Sequence, residues 1–294
     1  MMAYLRSTVA VTGGELALGC WGEEGPLVVA VHGITSSHLA WTLVAEQLAS
    51  DHRFVAVDLR GRGDSRDLPP PYGIDRHADD IAEVIRAYGE SAVLVGHSMG
   101  AFVAVATARR HPDLVRRLVL VDGGAPLPLP PGVPVDATEA DLKAAIELTV
   151  GTAFARLTQT FADRAAVDAL WRSHPALTDW NPAMTAYADY DVVETDGGLV
   201  TKCRLEAAVR DAQDIYATSS ARSAALPVPG VFLRAERGML GGPTPLYPHG
   251  YASRWLPGIE EYAVAGANHY TITLSPSPAV TVADAVRDDR RVVA

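Results

Sequence analysis

Ser91-Ala92-Val93-Leu94-Val95-Gly96-His97-Ser98-Met99-Gly100-Ala101-Phe102-Val103-Ala104-Val105-Ala106 is the stretch on which the fold turns. Ser91 to Val95 is a continuous apolar run, as expected of a strand covered on both faces. From Ala101 the small and apolar residues continue as a helix that ends near His111-Pro112. Between the two, Gly96-x-Ser98-x-Gly100 must turn sharply. A serine at such a turn projects its hydroxyl from the sheet edge, and the two glycines let the backbone fold tightly around it. The N–H groups that open the following helix face the same point.

Working outward, short β-rich runs alternate with helical patterns through residue 122, the arrangement that builds a mostly parallel sheet. Strands are expected over Ser7–Thr12 and Glu15–Trp21 as an opening hairpin, then Leu27–Val31, Arg53–Asp58, Ser91–Val95 and Arg117–Asp122. Helices are expected over His38–Ala49, where Leu39, Leu43, Val44 and Leu48 share a face, and over Arg76–Tyr88. From Gly123 to about Ala225 the texture is helical and aromatic, opening with a proline-rich segment. Strands resume at Pro229–Arg234 and Ile259–Ala265, and a last helix starts near Pro278. Eight strands therefore form one α/β core, residues 1–122 and 226–294, interrupted by a helical cap, residues 123–225. At ~150 residues per domain the 294-residue length suggests two domains, and the insertion accounts for the excess.

The formal net charge is −10, which argues against nucleic acid or an anionic membrane as partner. Cys20 and Cys203 are too few for a disulfide framework or a zinc site. No segment reads as a membrane span or as a signal-peptide core, so a cytoplasmic protein acting on a small molecule is expected. Oligomeric state is not legible. His77, Asp79 and Asp80 are expected to form a solvated polar face rather than a metal site, and no metal or organic cofactor is expected.

Ser98 needs a general base, and His269, in Gly266-Ala267-Asn268-His269-Tyr270 after the last strand, is the best placed of the nine histidines. His97 is expected beneath the turn and His32 as a brace for its loop. A tetrahedral oxyanion needs two preorganised donors, which the backbone N–H groups of Ile34 and Met99 would supply, with His32-Gly33 bordering the substrate.

These segments, with Asp58-x-Arg60-Gly61-x-Gly63-x-Ser65, resemble the α/β-hydrolase fold enzymes of the capped esterase, lactonase and carbon–carbon hydrolase type over nearly the whole chain. In most of that family the acid of a Ser-His-Asp set lies in the loop after the strand matching Val231–Arg234. Here Gly238 stands where that Asp is expected. The resemblance leaves Asp122, 24 residues beyond Ser98, as the preferred acid and Glu236 as the alternative.

In the cap, Trp180, Tyr187 and Tyr190, with Trp171, Met184, Phe154 and Phe161, are candidates for an apolar pocket. The resemblance implies a serine hydrolase that cleaves a carboxylic ester or lactone with an apolar body through an acyl-enzyme. The alternatives are a carbon–carbon hydrolase of a diketone or keto acid, or a non-catalytic binding homologue. A keto-acid substrate would require an arginine in the cap, with Arg156, Arg172 and Arg204 as candidates.

Overall fold

The computed structural model describes residues 4–128, 154–218 and 225–288. In chain order the core elements are β1 (Leu5–Val11), β2 (Gly14–Trp21), β3 (Leu27–Val31), α1 (Thr42–Leu48), β4 (Arg53–Val57), α2 (Ile74–Tyr88), β5 (Ala92–His97), α3 (Met99–Arg110) and β6 (Val115–Val121). The insertion contributes β7 (Thr160–Phe161), α4 (Arg164–Arg172), α5 (Pro182–Tyr190), β8 (Val192–Thr195), β9 (Gly198–Thr201) and α6 (Leu205–Thr218). The core resumes with β10 (Gly230–Ala235), α7 (Tyr251–Trp255), β11 (Glu260–Val264), α8 (Thr271–Leu274) and α9 (Pro276–Arg287).

Eight strands form one sheet in the order β1-β2-β4-β3-β5-β6-β10-β11. The β1–β2 and β2–β4 pairs are antiparallel and the others parallel. Every residue of β3 is buried, and the strand's alternation feeds two cores. Val28 and Ala30 join the side packed by α1 and α9, while Leu27, Val29 and Val31 join the side packed by α2 and α3. Each such valine or leucine contributes ~1.5–3 kcal/mol relative to exposure. α2 supplies Ile74, Ala78, Ile81 and Ile85 at helical spacing to the second core. α3 is buried almost all round, which explains why its sequence carries no polar face until Thr107.

The expected element boundaries shift by a few residues, and the helix expected over His38–Ala49 splits into a 3-10 turn, His38–Trp41, and α1. The insertion is not purely helical: β7, β9 and β8 form a three-stranded sheet within it. Val192 and Leu199 turn their buried sides into the core shared with α1, while Glu194 and Thr195 stay exposed. Four-residue strands carry too little alternation to be separated from helix by periodicity. Trp171, Met184, Tyr187 and Tyr190 belong to that same continuous core, so the insertion packs directly on the sheet domain.

Candidate active site

The strands β3, β4, β5, β6 and β10 all end at one edge of the sheet, and their next residues meet there. The register pairs His97 with Val121, which places Ser98 and Asp122, each one residue further, side by side. Ser98 donates its N–H to Val121 O at 3.0 Å, and Asp122 donates its own to Leu233 O at 2.7 Å. Both have positive φ, 53° for Ser98 and 46° for Asp122. Such non-glycine strain persists only where the surroundings over-determine it. A Cβ on Gly96 would stand 2.3 Å from Gly100 O, so the elbow closes only with glycine there.

His269 follows β11 and lies between the two. Its Nε2 is 3.0 Å from Ser98 Oγ and its Nδ1 is 2.7 Å from Asp122 Oδ2. The other carboxylate oxygen of Asp122 accepts the Ala235 N–H at 2.9 Å. A carboxylate on Nδ1 keeps the proton there and leaves Nε2 free to accept from the serine hydroxyl. Ser98 is half-buried, and His269 and Asp122 are buried.

Two further histidines lock the surroundings. Burial, and then the His269 ring beside it, pulls the pKa of His97 down to about 3. The neutral ring donates from Nε2 to His269 O at 2.8 Å, beneath the turn as expected. His32 is fully buried and likewise held neutral, its pKa lowered to about 4 chiefly by burial. Its Nε2 accepts the Leu59 N–H at 3.0 Å, so Nδ1 carries the proton and donates to Gly33 O at 2.6 Å. His32 therefore braces this loop from a fully buried position. Gly33 does lie against Ser98: a Cβ there would be 3.3 Å from Ser98 Cβ and 3.7 Å from its Oγ. Ile34 follows at that same loop, and Met99 opens α3, where its N–H has no intrahelical acceptor.

Glu236 is not brought to the site. It is exposed and accepts the Gly266 N–H at 2.7 Å. Gly238 closes a tight turn with Gly242, and a Cβ there would stand 2.3 Å from Thr244 O, so no side chain fits where the acid is usually found.

The cap residues separate. Tyr187 is buried, donates to Ser36 Oγ at 3.1 Å beside the Ile34 loop, and meets Trp171 edge-on. Tyr190 instead donates to the buried carboxylate of Asp58. Trp180 bonds Thr185 Oγ1 at 2.8 Å and lines a separate, open cavity of about 490 Å³ on the insertion. Among the described residues the side-chain hydrogen bonds of Trp180 and Tyr190 run to Thr185, Asp58 and Asp64 rather than to Ser98 or His269.

Of the three arginines, Arg172 lies exposed over the Trp180 ring and Arg204 pairs with exposed Asp67. Arg156 alone sits inward. It pairs with Asp191, donates to Thr35 O at 3.1 Å and lies 4.9 Å from the Trp171 ring centre. Burial pushes the Asp191 carboxyl up to about 6 despite that cation. His174 and Tyr270, next to His269, stack edge-on at 4.6 Å and complete the aromatic wall.

Buried charges were the features that sequence reasoning missed. His77 and Asp80 are fully buried rather than solvated: His77 pairs with Asp211 at 2.9 Å and Asp80 with Arg60 at 2.9 Å. His38 is likewise buried and bonded to Asp58 at 2.9 Å. Asp211 falls on the buried stripe of α6 with Ala207, Ala208 and Ile215, and a carboxylate on an apolar helix face was the available signal.

This strand-edge assembly of serine, histidine and aspartate under an insertion defines a class, and the chain belongs to the α/β-hydrolase fold family, whose model matches residues 26–191. It is 31% identical over 255 residues to the 2-(acetamidomethylene)succinate hydrolase of Mesorhizobium japonicum, covering 86% of this chain and 84% of the relative. A shorter match, 41% over 104 residues, covers 35% of this chain and 39% of the N-formylmaleamate deformylase of Pseudomonas putida. The crystal structure of an E-2-(acetamidomethylene)succinate hydrolase superposes with a TM-score of 0.78 at 27% identity, covering 97% of this chain and all of that one. The similar proteins are hydrolases. Among the described residues no helix is long and apolar enough to cross a membrane.

Proposed function

We propose that this protein is a serine hydrolase of small, carboxylate-bearing acyl compounds, with Ser98 as nucleophile, His269 as general base and Asp122 as the acid that orients it. Ser98 Oγ attacks the substrate carbonyl as His269 Nε2 takes its proton, and the N–H groups of Ile34 and Met99 receive the oxyanion. His269 then protonates the leaving group. Water, deprotonated by His269, releases the acid product and regenerates Ser98.

The observation that carries the substrate class is Arg156. Its guanidinium has five N–H donors, of which Asp191 and Thr35 O take two among the described residues, and 13% of the side chain stays accessible. A planar cation bonded to the carbonyl of Thr35, the residue after Ile34, suits a carboxylate better than an apolar ester or lactone body. The names of the two relatives specify a succinate carrying an acetamido group and an N-formylated maleamate, both anionic acyl compounds. Cleavage of a carbon–carbon bond in a keto acid is the second reading, favoured by the same arginine. Product analysis separates them, since an amide releases an amine or ammonia and a diketone does not.

The test pairs fluorophosphonate labelling with a matched substrate panel. The expected result is an adduct on Ser98 and faster turnover of N-acyl or keto carboxylates than of their neutral methyl esters. No adduct on Ser98, or a preference for the neutral esters, overturns the reading.

A further inference from the structure

Arg62 sits between the two glycines of Gly61-Arg62-Gly63 and is fully buried. Its Nε donates to the carbonyl of Ile34 at 2.9 Å, and its Nη1 donates to Arg60 O at 2.9 Å. That Nη1 is also 2.6 Å from Asp211 Oδ2, and Asp211 belongs to α6 of the insertion. His77 Nε2 reaches the same carboxylate oxygen at 2.9 Å. The contact is one of several stitches between the insertion and this loop region. Arg204 donates its N–H to Gly61 O at 2.9 Å, Asp214 accepts the Ile74 N–H at 2.7 Å, and Cys203 Sγ lies 3.9 Å from Ile34 O.

Ile34 is the residue whose N–H the hydrolytic reading assigns to the oxyanion hole, and its carbonyl belongs to the next peptide plane. A free carbonyl in such a loop can rotate, and turned toward Ser98 it would put negative charge where the oxyanion forms. A charged donor holding it outward removes that option, because a charge-assisted hydrogen bond is about twice as strong as a neutral one. Arg62 can occupy that dry position only with a counter-charge, since a lone buried guanidinium is costly. Asp211 is that counter-charge, and burial is outweighed there: His77 and Arg62 bring its pKa down to about 2, so it stays ionised.

We infer that Arg62 is a positioning residue for the oxyanion hole, and that Asp211 on α6 makes its hold on Ile34 depend on the seating of the insertion. This rests on the serine-hydrolase reading above. The insertion then does more than enclose substrate, because its helix completes the geometry of one of the two oxyanion donors.

The experiment compares wild type with R62K, D211N and the charge-free double variant R62M/D211L, which leaves no unpaired arginine or aspartate at this contact. For each, kcat and KM are normalised to the fraction of Ser98 labelled by fluorophosphonate. Affinity for a trifluoromethyl ketone, which forms a tetrahedral adduct with serine, and Tm are measured alongside. The expected result is a kcat loss of roughly 10- to 100-fold in the double variant, with KM nearly unchanged and the ketone weakened by a similar factor. D211N should lose less, and R62K should recover part of the loss. A merely structural role would lower Tm while leaving normalised kcat and ketone affinity unchanged in both D211N and the double variant, and that result overturns the inference. Wild type that neither labels at Ser98 nor turns over acyl substrates overturns the underlying reading instead.

Discussion

Asp122 holds His269 Nδ1 at 2.7 Å from the end of β6, the strand adjacent to the one that Ser98 follows, rather than from the loop after β10. The β5–β6 register makes this possible by placing Asp122 next to Ser98. The Ala235 N–H at the end of β10 then fixes the carboxylate from its other side. Replacing the carboxylate by an amide of equal size should leave His269 in the wrong tautomer. D122N is therefore expected to lower kcat by on the order of 10³- to 10⁴-fold with little change in KM. E236Q, which loses only an exposed bond to Gly266 N, should retain near-wild-type kcat. Steady-state kinetics of the two variants check the assignment, and equal losses would refute it.

Gly33 is close enough to Ser98 that one methyl group matters. A Cβ at 3.3 Å from Ser98 Cβ is tighter than ordinary contact, and the His32 brace behind the loop resists retreat. G33A should cut kcat by about 10-fold or more, since small misplacements of reacting groups carry large rate penalties. Tm should move little, because the change falls at the rim of the core. Kinetics and thermal melts on the same preparation test this, and an unchanged kcat would place the oxyanion loop elsewhere.

The sheet was legible because its central strands β3, β5 and β6 are largely apolar runs and α2 and the elbow carry strong local signals. Ser98 and Asp122 were legible because each directly follows a strand, and His269 because it lies in the loop after the last one. The insertion's small sheet was not, since Val192–Thr195 and Gly198–Thr201 are too short to show period two. Nor were the buried polar contacts, because Arg62 and Asp211, or Asp58 and Tyr190, are far apart in sequence and only tertiary packing joins them. His77 and Asp80 show the error most clearly: polar residues on an amphipathic helix were read as solvated, and burial with a partner was the actual answer.

Tyr190 joins the insertion to the core through Asp58, a carboxylate that also accepts His38 N–H at 2.8 Å and Asp64 N–H at 2.9 Å. Burial raises the Asp58 pKa, but the neighbouring His38 and these hydrogen bonds outweigh it and hold it below the ordinary 3.8. A depressed carboxylate contributes stability that is complete above its unfolded value and is lost as pH falls toward the folded one. Y190F removes one donor to the charge. It should cost ~1.5–3 kcal/mol near neutral pH and begin acid unfolding at a higher pH than wild type, since the folded pKa rises. Denaturant melts across pH 2–6 measure both. A wild-type acid limb in Y190F would show that the bond carries no weight.

Asp191 behaves in the opposite sense, and substrate binding should show it. Its carboxyl is raised to about 6, so the ionised form is disfavoured in the fold, and the stability linked to its protonation is lost as pH rises from about 4 to about 6. Below about 6 it becomes neutral and leaves the adjacent Arg156 cation uncompensated. An anion at Arg156 then no longer competes with a second carboxylate. For a competitive carboxylate inhibitor that is fully ionised above pH 5, the inhibition constant should therefore fall several-fold between pH 7.5 and pH 5.5. D191N should bind as tightly at pH 7.5 as wild type does at pH 5.5, with little pH dependence left. R156M should weaken the inhibitor at every pH by roughly 10-fold or more, the scale of one lost charged hydrogen bond at ~1.5–3 kcal/mol. Inhibition measured for the three proteins at both pH values decides the matter: a wild-type constant that does not move with pH, together with undiminished binding in R156M, would remove Arg156 from the substrate site.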